Sequence, residues 1–343
     1  MKILLTGANG FVGARIRAAA PVICAPSLRG AEKEDIDRLI DTVQPDAILH
    51  TAAISDIGAC AKDPEGSYHA NVLVPEYLAK AANGAKLVLF SSDQVYSGAK
   101  GDKPFTEDDV ATANLYAEEK LEMENSVLAI DPNAVMLRAT WMYDMPMFGV
   151  PNRSNLITMF LNAAITQKPL ALSKEEFRGI TYVREVAEQT LQAVNLPGGA
   201  YNFGSEADVS MYALAELFMK KTGMKLNLQE KSGGENLWMN CAKLKNAGQR
   251  GVVLADALIE TGFCDLLAPD GVGFLHHLDL IRRDFADDAD GKAGAGERLA
   301  ADEVFRQTQL TAGLTCLVLK EVTQRLDDFL EIVVIRQTAY GVV

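Results

Sequence analysis

The sequence predicts an α/β protein with a doubly wound parallel sheet, a smaller α/β lobe and an atypical C-terminal tail. Two observations carry this prediction: short apolar runs alternate with helical patterns up to about Tyr143, and the alternation loosens beyond that residue. Strands that alternate with helices pair in parallel through right-handed crossovers, which places helices on both faces of the sheet. The length of 343 residues also favours more than one domain.

The first domain is expected at residues 1–145, and the sequence allows some later segments to be part of it as well. Its strands are expected at 2–6, 21–25, 46–50, 86–90 and 134–137, and its helices at 11–20, 31–43, 64–82 and 114–130. The second helix is marked most clearly, because Ile36, Leu39, Ile40 and Val43 recur at helical spacing.

The smaller lobe is expected at residues 146–247. Its helices are expected at 155–164, 185–194 and 211–222, and its extended segments at 179–183 and 201–203. The remaining residues, 248–343, form a C-terminal extension of unknown role.

A break in composition sets this extension apart. Residues 1–250 contain 15 Asn, 12 Ser, 11 Met and 2 Trp, whereas residues 251–343 contain none of these types. Two interpretations stay open: a dimerisation or docking element, or a segment not native to the fold that arose by readthrough, frameshift or fusion. The adjacent His276 and His277 do not predict a metal site, because neighbouring side chains point in different directions.

Composition and charge exclude several classes of function. The net charge of −13 argues against sequence-independent binding to nucleic acid, since no surplus of Lys and Arg is present to neutralise phosphates. No apolar run approaches the ~20 residues that span a bilayer. The 5 cysteines are scattered without CxxC pairing, which is typical of a reducing compartment. We expect no metal site, no membrane partner and a cytoplasmic location.

A glycine-rich turn follows the first expected strand. Gly7, Gly10 and Gly13 stand at Gly-x-x-Gly-x-x-Gly spacing and open the first helix. Glycine is needed where the chain reverses and where backbone approaches a pyrophosphate, and a helix N-terminus attracts anions through its free N–H groups. This placement predicts a Rossmann-type dinucleotide site.

The end of the second expected strand indicates which dinucleotide binds. An acidic residue there would accept a hydrogen bond from the ribose 2′-hydroxyl of NAD. The segment instead carries Ser27 and Arg29 and no acid. Because guanidinium pairs with phosphate, the sequence favours NADP(H) over NAD(H).

Tyr116 and Lys120 stand four residues apart in an expected helix and therefore share one face. A nearby ammonium favours phenolate, so we expect Lys120 to lower the pKa of Tyr116 towards neutrality, as an acid–base tyrosine requires. Tyr96 and Lys100 have the same spacing, but Ser97 and Gly98 between them indicate a turn.

The fourth expected strand ends in Ser91, Ser92 and Asp93. Open parallel sheets bind ligands beyond the carboxyl ends of their strands, so these hydroxyl groups are expected in the crevice. There a serine can hold a substrate carbonyl.

Taken together, the motifs resemble those of the extended short-chain dehydrogenase/reductase family, most closely the dTDP-4-dehydrorhamnose reductase branch. The resemblance covers about residues 1–247 and depends on an ordered set: the glycine turn, 50–53, Asn71, 91–96, Tyr116 and Lys120, 137–143 and 202–205. It implies Ser92, Tyr116 and Lys120 as catalytic residues. It implies cofactor contacts from Gly7, Asn9, Gly10, Phe11, Val12, Gly13, Ser27, Arg29, Ala52, Ala53, Asn71, Ser91, Tyr116 and Lys120, and substrate contacts from Asp93 and Trp141.

The implied activity is NADP(H)-dependent reduction of a keto group on a nucleotide-activated deoxy sugar, with Tyr116 as proton donor. Independently of the resemblance, a homodimer is one assembly that stays open. The segment 174–182 departs from the branch's Asp-Gln-x-Gly-x-Pro-Thr-Tyr pattern. The Arg-Pro pair that the branch carries near its C-terminus has no equivalent in this sequence. Two alternatives therefore stay open: a non-catalytic NADP-binding subunit resembling the methionine adenosyltransferase regulatory subunit, and a nucleotide-sugar epimerase or dehydratase.

Overall fold

The computed structural model describes residues 1–144, 153–207 and 209–248. Expectations for 146–152, and those for the C-terminal extension from residue 249 onwards, including His276 and His277, lie outside the described residues. Among the helices of the described segments, none has the length and apolar character needed to cross a bilayer.

A parallel sheet forms the centre of the described part, with strand order β2-β1-β3-β4-β5-β9. The strands of this sheet are β1 (Ile3–Thr6), β2 (Ile23–Cys24), β3 (Ala47–His50), β4 (Lys86–Ser92), β5 (Val135–Ala139) and β9 (Gly199–Phe203). The order reverses at β1, since the chain goes from β1 to β2 on one side and then to β3 on the other. Such a switch point opens a ligand crevice at the carboxyl ends of the strands.

Helices cover both faces of the sheet. The helices of the described residues are α1 (Phe11–Ala19), α2 (Lys33–Val43), α3 (Ile57–Lys62), α4 (Pro64–Tyr68), α5 (Val74–Ala81), α6 (Leu115–Ile130), α7 (Leu156–Thr166), α8 (Val183–Gln192), α9 (Met211–Thr222) and α10 (Ala242–Asn246). Helices α1 and α8 lie on one face of the sheet, and α2, α5 and α6 lie on the other. A π-helical turn, His69–Leu73, joins α4 to α5, and a 3₁₀ turn, Asp93–Tyr96, follows β4.

The core has two layers, one on each face of the sheet. Leu5 packs with Ile16 of α1 and Val186 of α8, whereas the neighbouring Leu4 packs with Ile36 of α2 and other residues on the opposite face. Successive side chains of a strand point to opposite faces, and both are apolar because both faces are covered. The predicted fold class is confirmed.

Two later elements belong to the first domain. β9 pairs with β5, and α8 packs against α1 in the same core layer. The sequence left room for such a return, although the domain boundary at residue 145 stays a prediction. The smaller lobe contains α7, α9 and two short strand pairs, which are β7 (Leu170–Ser173) with β10 (Leu228–Lys231) and β6 (Trp141–Tyr143) with β8 (Ile180–Tyr182).

The expected single helix at 64–82 is wrong in detail. It is divided into α4, the π-helical turn and α5. Pro75 lacks an N–H and its ring crowds the carbonyl of Asn71, so a regular α-helical ladder cannot continue through this point. The expected strand at 21–25 is also shorter, because only Ile23 and Cys24 pair with β1.

Candidate active site

The glycine turn forms a close contact between β1 and α1. Gly7 has φ of 69°, and a Cβ at Gly13 would lie 2.1 Å from the carbonyl oxygen of Gly7. Among the described residues no side chain caps the N-terminus of α1 at Gly10, so its first N–H groups are left without a capping side-chain acceptor. The turn therefore has the features of a pyrophosphate site.

A cleft of about 890 Å³ lies along the carboxyl ends of β1, β3, β4 and β5. Ser27 and Arg29 lie at its edge beyond β2, whereas Ser92, Tyr116 and Lys120 line it beyond β4. The predicted site residues that line it are Gly7, Asn9, Gly10, Phe11, Val12, Ser27, Arg29, Ala52, Ala53, Ser91, Ser92, Asp93, Tyr116, Lys120 and Trp141.

Two predicted cofactor contacts lie behind the cleft wall. Gly13 is packed against Gly7, and Asn71 is buried with its amide bonded to the backbone of Ile54. Both residues shape the wall rather than line it. Direct contact of either with a cofactor stays a prediction.

Asn114 positions the helix that carries Tyr116 and Lys120. Its side chain accepts a hydrogen bond from the Ala117 N–H at 2.9 Å, which caps the N-terminus of α6. Its amide nitrogen donates to Gln94 Oε1 at 3.1 Å, so the start of α6 is tied to the turn after β4. Consequently Tyr116 and Ser92 line the same cleft, and the Ser92 hydroxyl acts to lower the pKa of Tyr116.

The pKa of Tyr116 is raised above its ordinary value, mainly because burial penalises the phenolate, while the Ser92 hydroxyl acts in the opposite direction. The expectation that Lys120 brings this pKa towards neutrality is therefore wrong for the arrangement described. Lys120 Nζ lies 5.9 Å from the centre of the Tyr116 ring and donates instead to the carbonyl oxygen of Phe90 at 2.9 Å. Tyr116 is held as the neutral phenol, which is the form that a proton donor needs.

Lys120 is buried at the floor of the cleft. Burial lowers its pKa from the ordinary value to about 8, against the opposing effects of Glu124 and Glu119. An ammonium that titrates near neutral pH is unusual and is typical of a functional site.

Ser92 is hydrogen-bonded to a partly buried ion pair. Its hydroxyl donates to Asp93 Oδ1 at 3.2 Å, and Asp93 Oδ2 accepts from Arg178 at 3.3 Å. Burial raises the pKa of Asp93, and Arg178 opposes that rise. The Arg178 guanidinium also lies over the Trp141 ring, 5.2 Å from its centre.

Three buried polar atoms of cleft residues have no hydrogen-bond partner among the described residues. They are Arg178 Nε, before β8, and Ser91 Oγ and His50 Nε2 at the ends of β4 and β3. His50 bonds to Thr6 through its other ring nitrogen, and burial lowers its pKa to about 3, so it is neutral. Such atoms are costly unless a ligand or water satisfies them. The atoms of Ser91 and His50 fit a polar cofactor seated between the glycine turn and Tyr116.

Residues 1–233 match the family described as RmlD substrate binding domain. The chain belongs to this family. The extended short-chain dehydrogenase/reductase membership predicted from the motifs is thereby confirmed, together with the enzyme class, an NAD(P)-dependent oxidoreductase.

Curated members of the family are similar over most of their length. The spore coat polysaccharide biosynthesis protein SpsK of Bacillus subtilis (strain 168) is 25% identical over 233 residues, which cover 65% of this chain and 80% of that protein. A dTDP-4-dehydrorhamnose reductase of Escherichia coli (strain K12) is 28% identical over 252 residues, which cover 67% and 82%.

Among solved structures, dTDP-4-dehydrorhamnose reductase of Bacillus anthracis str. Ames in complex with NADP has a TM-score of 0.68 and 18% identity. The match covers 77% of this chain and 100% of that chain. This likeness shows that the fold is shared.

Sequence reasoning missed two arginines of the site. Arg153 precedes α7 and donates to Ser55 Oγ at 2.8 Å, and Arg178 precedes β8; both line the cleft. No motif marks either residue, because each reaches the cleft from the smaller lobe by tertiary packing. In the described segments no group of His, Cys, Asp and Glu could hold a metal ion.

Proposed function

We propose that this family member reduces a keto group on a nucleotide-activated deoxy sugar with NADPH, in the manner of a dTDP-4-dehydrorhamnose reductase. The observation that carries the proposal is the convergence of Ser92, Tyr116 and Lys120 at one end of a cleft whose other end is the glycine turn. When bound, NADPH supplies a hydride from C4 of its nicotinamide ring.

Each catalytic side chain has a separate role in this proposal. The Ser92 hydroxyl rotates from Asp93 Oδ1 to the substrate carbonyl oxygen and donates its hydrogen bond there, which stabilises the charge that grows on that oxygen. Tyr116, held as the neutral phenol by burial, gives its proton to that oxygen. The Lys120 ammonium binds the nicotinamide ribose and compensates the negative charge that develops beside it.

The charges of the cleft support a substrate with phosphate groups. Arg153 and Arg178 line its substrate side although the protein as a whole carries a net charge of −13. Guanidinium groups bind phosphate oxygens through charge-assisted hydrogen bonds. The Arg178 guanidinium also lies over the Trp141 ring, so a cation and an aromatic ring stand together on this side of the cleft.

The proposal is tested by adding NADPH and a panel of keto-sugar nucleotides to the full-length protein. We expect NADPH consumption with dTDP-4-dehydrorhamnose. It is measured as the loss of absorbance at the reduced nicotinamide band. Tight NADPH binding without turnover of any sugar would favour the regulatory-subunit alternative. Conversion of the sugar without net NADPH consumption would favour the epimerase or dehydratase alternative.

Arg29 supports a preference for NADPH over NADH. We expect Arg29→Ala to raise the Kd for NADPH about 10-fold, because a charge-assisted bond to the 2′-phosphate is lost. The Kd for NADH should not change, since that cofactor carries no such phosphate. Both constants are measured by calorimetry, with Arg38→Ala as a matched control that removes an exposed arginine outside the cleft. Equal weakening of both cofactors would contradict the assignment.

Lys120 predicts a pH limit for cofactor binding. Its folded-state pKa is lowered to about 8, so the ammonium is present below that pH and is lost as the pH rises through it. We expect the Kd for NADPH to rise about 10-fold between pH 7 and pH 10, as a charged hydrogen bond becomes a neutral one. Lys120→Arg, which keeps its charge over this range, should flatten the profile. A wild-type Kd that stays constant up to pH 10 would argue against this role.

A further inference from the structure

Glu119, the residue immediately before Lys120 on α6, has no role in the mechanism above, although it is buried under the cleft. It is only 2% exposed. Its Oε1 accepts a hydrogen bond from Ser67 Oγ at 2.5 Å, and its Oε2 accepts one from Asn71 Nδ2 at 2.7 Å. Burying a carboxylate is costly, and among the described residues its recorded donors, Ser67 and Asn71, are both neutral.

Asn71 connects Glu119 to the cleft wall through hydrogen bonds. Its Oδ1 accepts from the Ile54 N–H at 2.9 Å, and its Nδ2 donates to the Ile54 carbonyl at 2.9 Å. Ile54 and Ser55 line the cleft. A flipped amide would bring Oδ1 against the carboxylate and the NH₂ group against the Ile54 N–H. Glu119 therefore fixes the amide orientation in which Asn71 bonds to both the N–H and the carbonyl of Ile54. These two bonds hold the loop of residues 51–56.

The charge of Glu119 acts on Lys120. The titratable groups around Lys120 are Glu119, Glu124 and Tyr116 on its own helix, Cys60 on α3 and His50 on β3. Glu124 forms an ion pair with Arg138. The Arg138 Nε and Nη2 atoms donate to Glu124 Oε1 and Oε2 at 2.9 and 2.6 Å. Neutral His50 brings no charge, and burial raises the pKa of Cys60. Both carboxylates raise the pKa of Lys120, Glu124 more strongly than Glu119. Among the described residues, Glu124 has Arg138 as a cationic partner, whereas the recorded partners of Glu119 are Ser67 and Asn71.

We propose that Glu119 is a positioning residue for the proposed reaction: its oxygens lock Asn71 against the 51–56 loop, and it places a buried carboxylate next to Lys120 in the chain. The proposal rests on the proposed function only for the importance of Lys120. Its two physical effects belong to the protein itself and can be measured without cofactor or sugar.

The charge effect is tested with Glu119→Gln. The glutamine can accept from Asn71 through its oxygen and donate to Ser67 through its nitrogen, so that only the charge is removed. The full-length protein is labelled at the lysine Cε with ¹³C and titrated by NMR, and the Lys120 signal is assigned by its loss in Lys120→Arg. We expect the Lys120 midpoint to fall by about one pH unit in Glu119→Gln.

Glu118→Gln is the matched control, because Glu118 is exposed and adjacent in sequence, and its loss removes the same charge. We expect it to leave the Lys120 midpoint in place. A midpoint that is the same in Glu119→Gln as in the wild type would overturn the proposal. So would an equal fall in both variants, since the effect would then be one of general charge.

The loop effect is tested with Glu119→Ala, which removes both acceptors. Hydrogen exchange of the Ile54 amide should become faster in Glu119→Ala and stay near the wild-type rate in Glu119→Gln. Unchanged exchange in Glu119→Ala would overturn the anchoring role. If that variant does not fold, the NMR titration of Glu119→Gln still decides the proposal. A protein that reduces no keto sugar but shows both effects would refute the proposed function and leave this inference standing.

Discussion

Tyr116→Phe is expected to lower kcat for keto-sugar reduction by about 10²- to 10⁴-fold, the usual contribution of a positioned general acid. The phenylalanine ring fills the same buried space but cannot donate a proton to the alkoxide. The Kd for NADPH should stay close to the wild-type value. The measurement is steady-state NADPH oxidation, combined with cofactor titration of the same preparations.

Tyr96→Phe provides the matched control for this prediction, because Tyr96 heads the second Tyr-x-x-x-Lys spacing in the chain. Its hydroxyl donates to Asn202 Oδ1 at 2.6 Å and accepts from Arg138 at 2.8 Å, and its ring stacks on Phe105. Its loss should reduce the free energy of unfolding by about 1–3 kcal/mol and leave kcat unchanged. A Tyr116→Phe protein that keeps wild-type kcat would exclude Tyr116 as the proton donor.

Gly13→Ala is the second change with a large expected effect. The new methyl group would lie 2.1 Å from the Gly7 carbonyl oxygen and 2.8 Å from its carbon, so the turn and α1 must move apart. The N–H groups of the α1 terminus then leave the position where they meet the pyrophosphate. Since a displacement of about 1 Å can cost 100-fold, we expect the Kd for NADPH to rise roughly 100-fold, or about 2.7 kcal/mol.

Gly10→Ala is the control for Gly13→Ala. It also replaces a glycine of the turn with alanine, but without the severe overlap with the Gly7 carbonyl oxygen. Its methyl group would lie 3.1 Å from the same oxygen, which requires a shift of only a few tenths of an ångström. Affinity should therefore fall in the order wild type, Gly10→Ala, Gly13→Ala, as measured by calorimetry. Undiminished NADPH binding in Gly13→Ala would show that this turn does not form the cofactor site.

The parts of the site that follow from local sequence could be predicted. The glycine turn, the end of β4 and the α6 face are each encoded within a few residues, and the geometry of parallel sheets brings their ends together. The prediction that Ser92 and Tyr116 face one crevice needed no tertiary detail. Tyr96 was distinguished from Tyr116 for a similar reason, since Ser97 and Gly98 indicate a turn.

The parts that depend on packing could not be predicted. The spacing of Tyr116 and Lys120 gives their proximity, but the sign of the Tyr116 pKa change depends on burial, which no spacing reveals. Arg178 reaches Asp93 across 85 positions of sequence. The π-helical turn at 69–73 depends on Pro75 and on tertiary contacts of Asn71, and it interrupts a pattern that reads as one helix.

The most direct test of the central claim is the fate of the hydrogen at C4 of the nicotinamide ring. The wild-type protein is incubated with NADPH that carries deuterium at C4, in each of its two stereochemical forms, and with dTDP-4-dehydrorhamnose. We expect one form to deliver a single deuterium to the former carbonyl carbon of the sugar, and we expect Tyr116→Phe to slow this transfer greatly. A reduced sugar without deuterium from either form, or no reduced sugar while NADPH is bound, would contradict it.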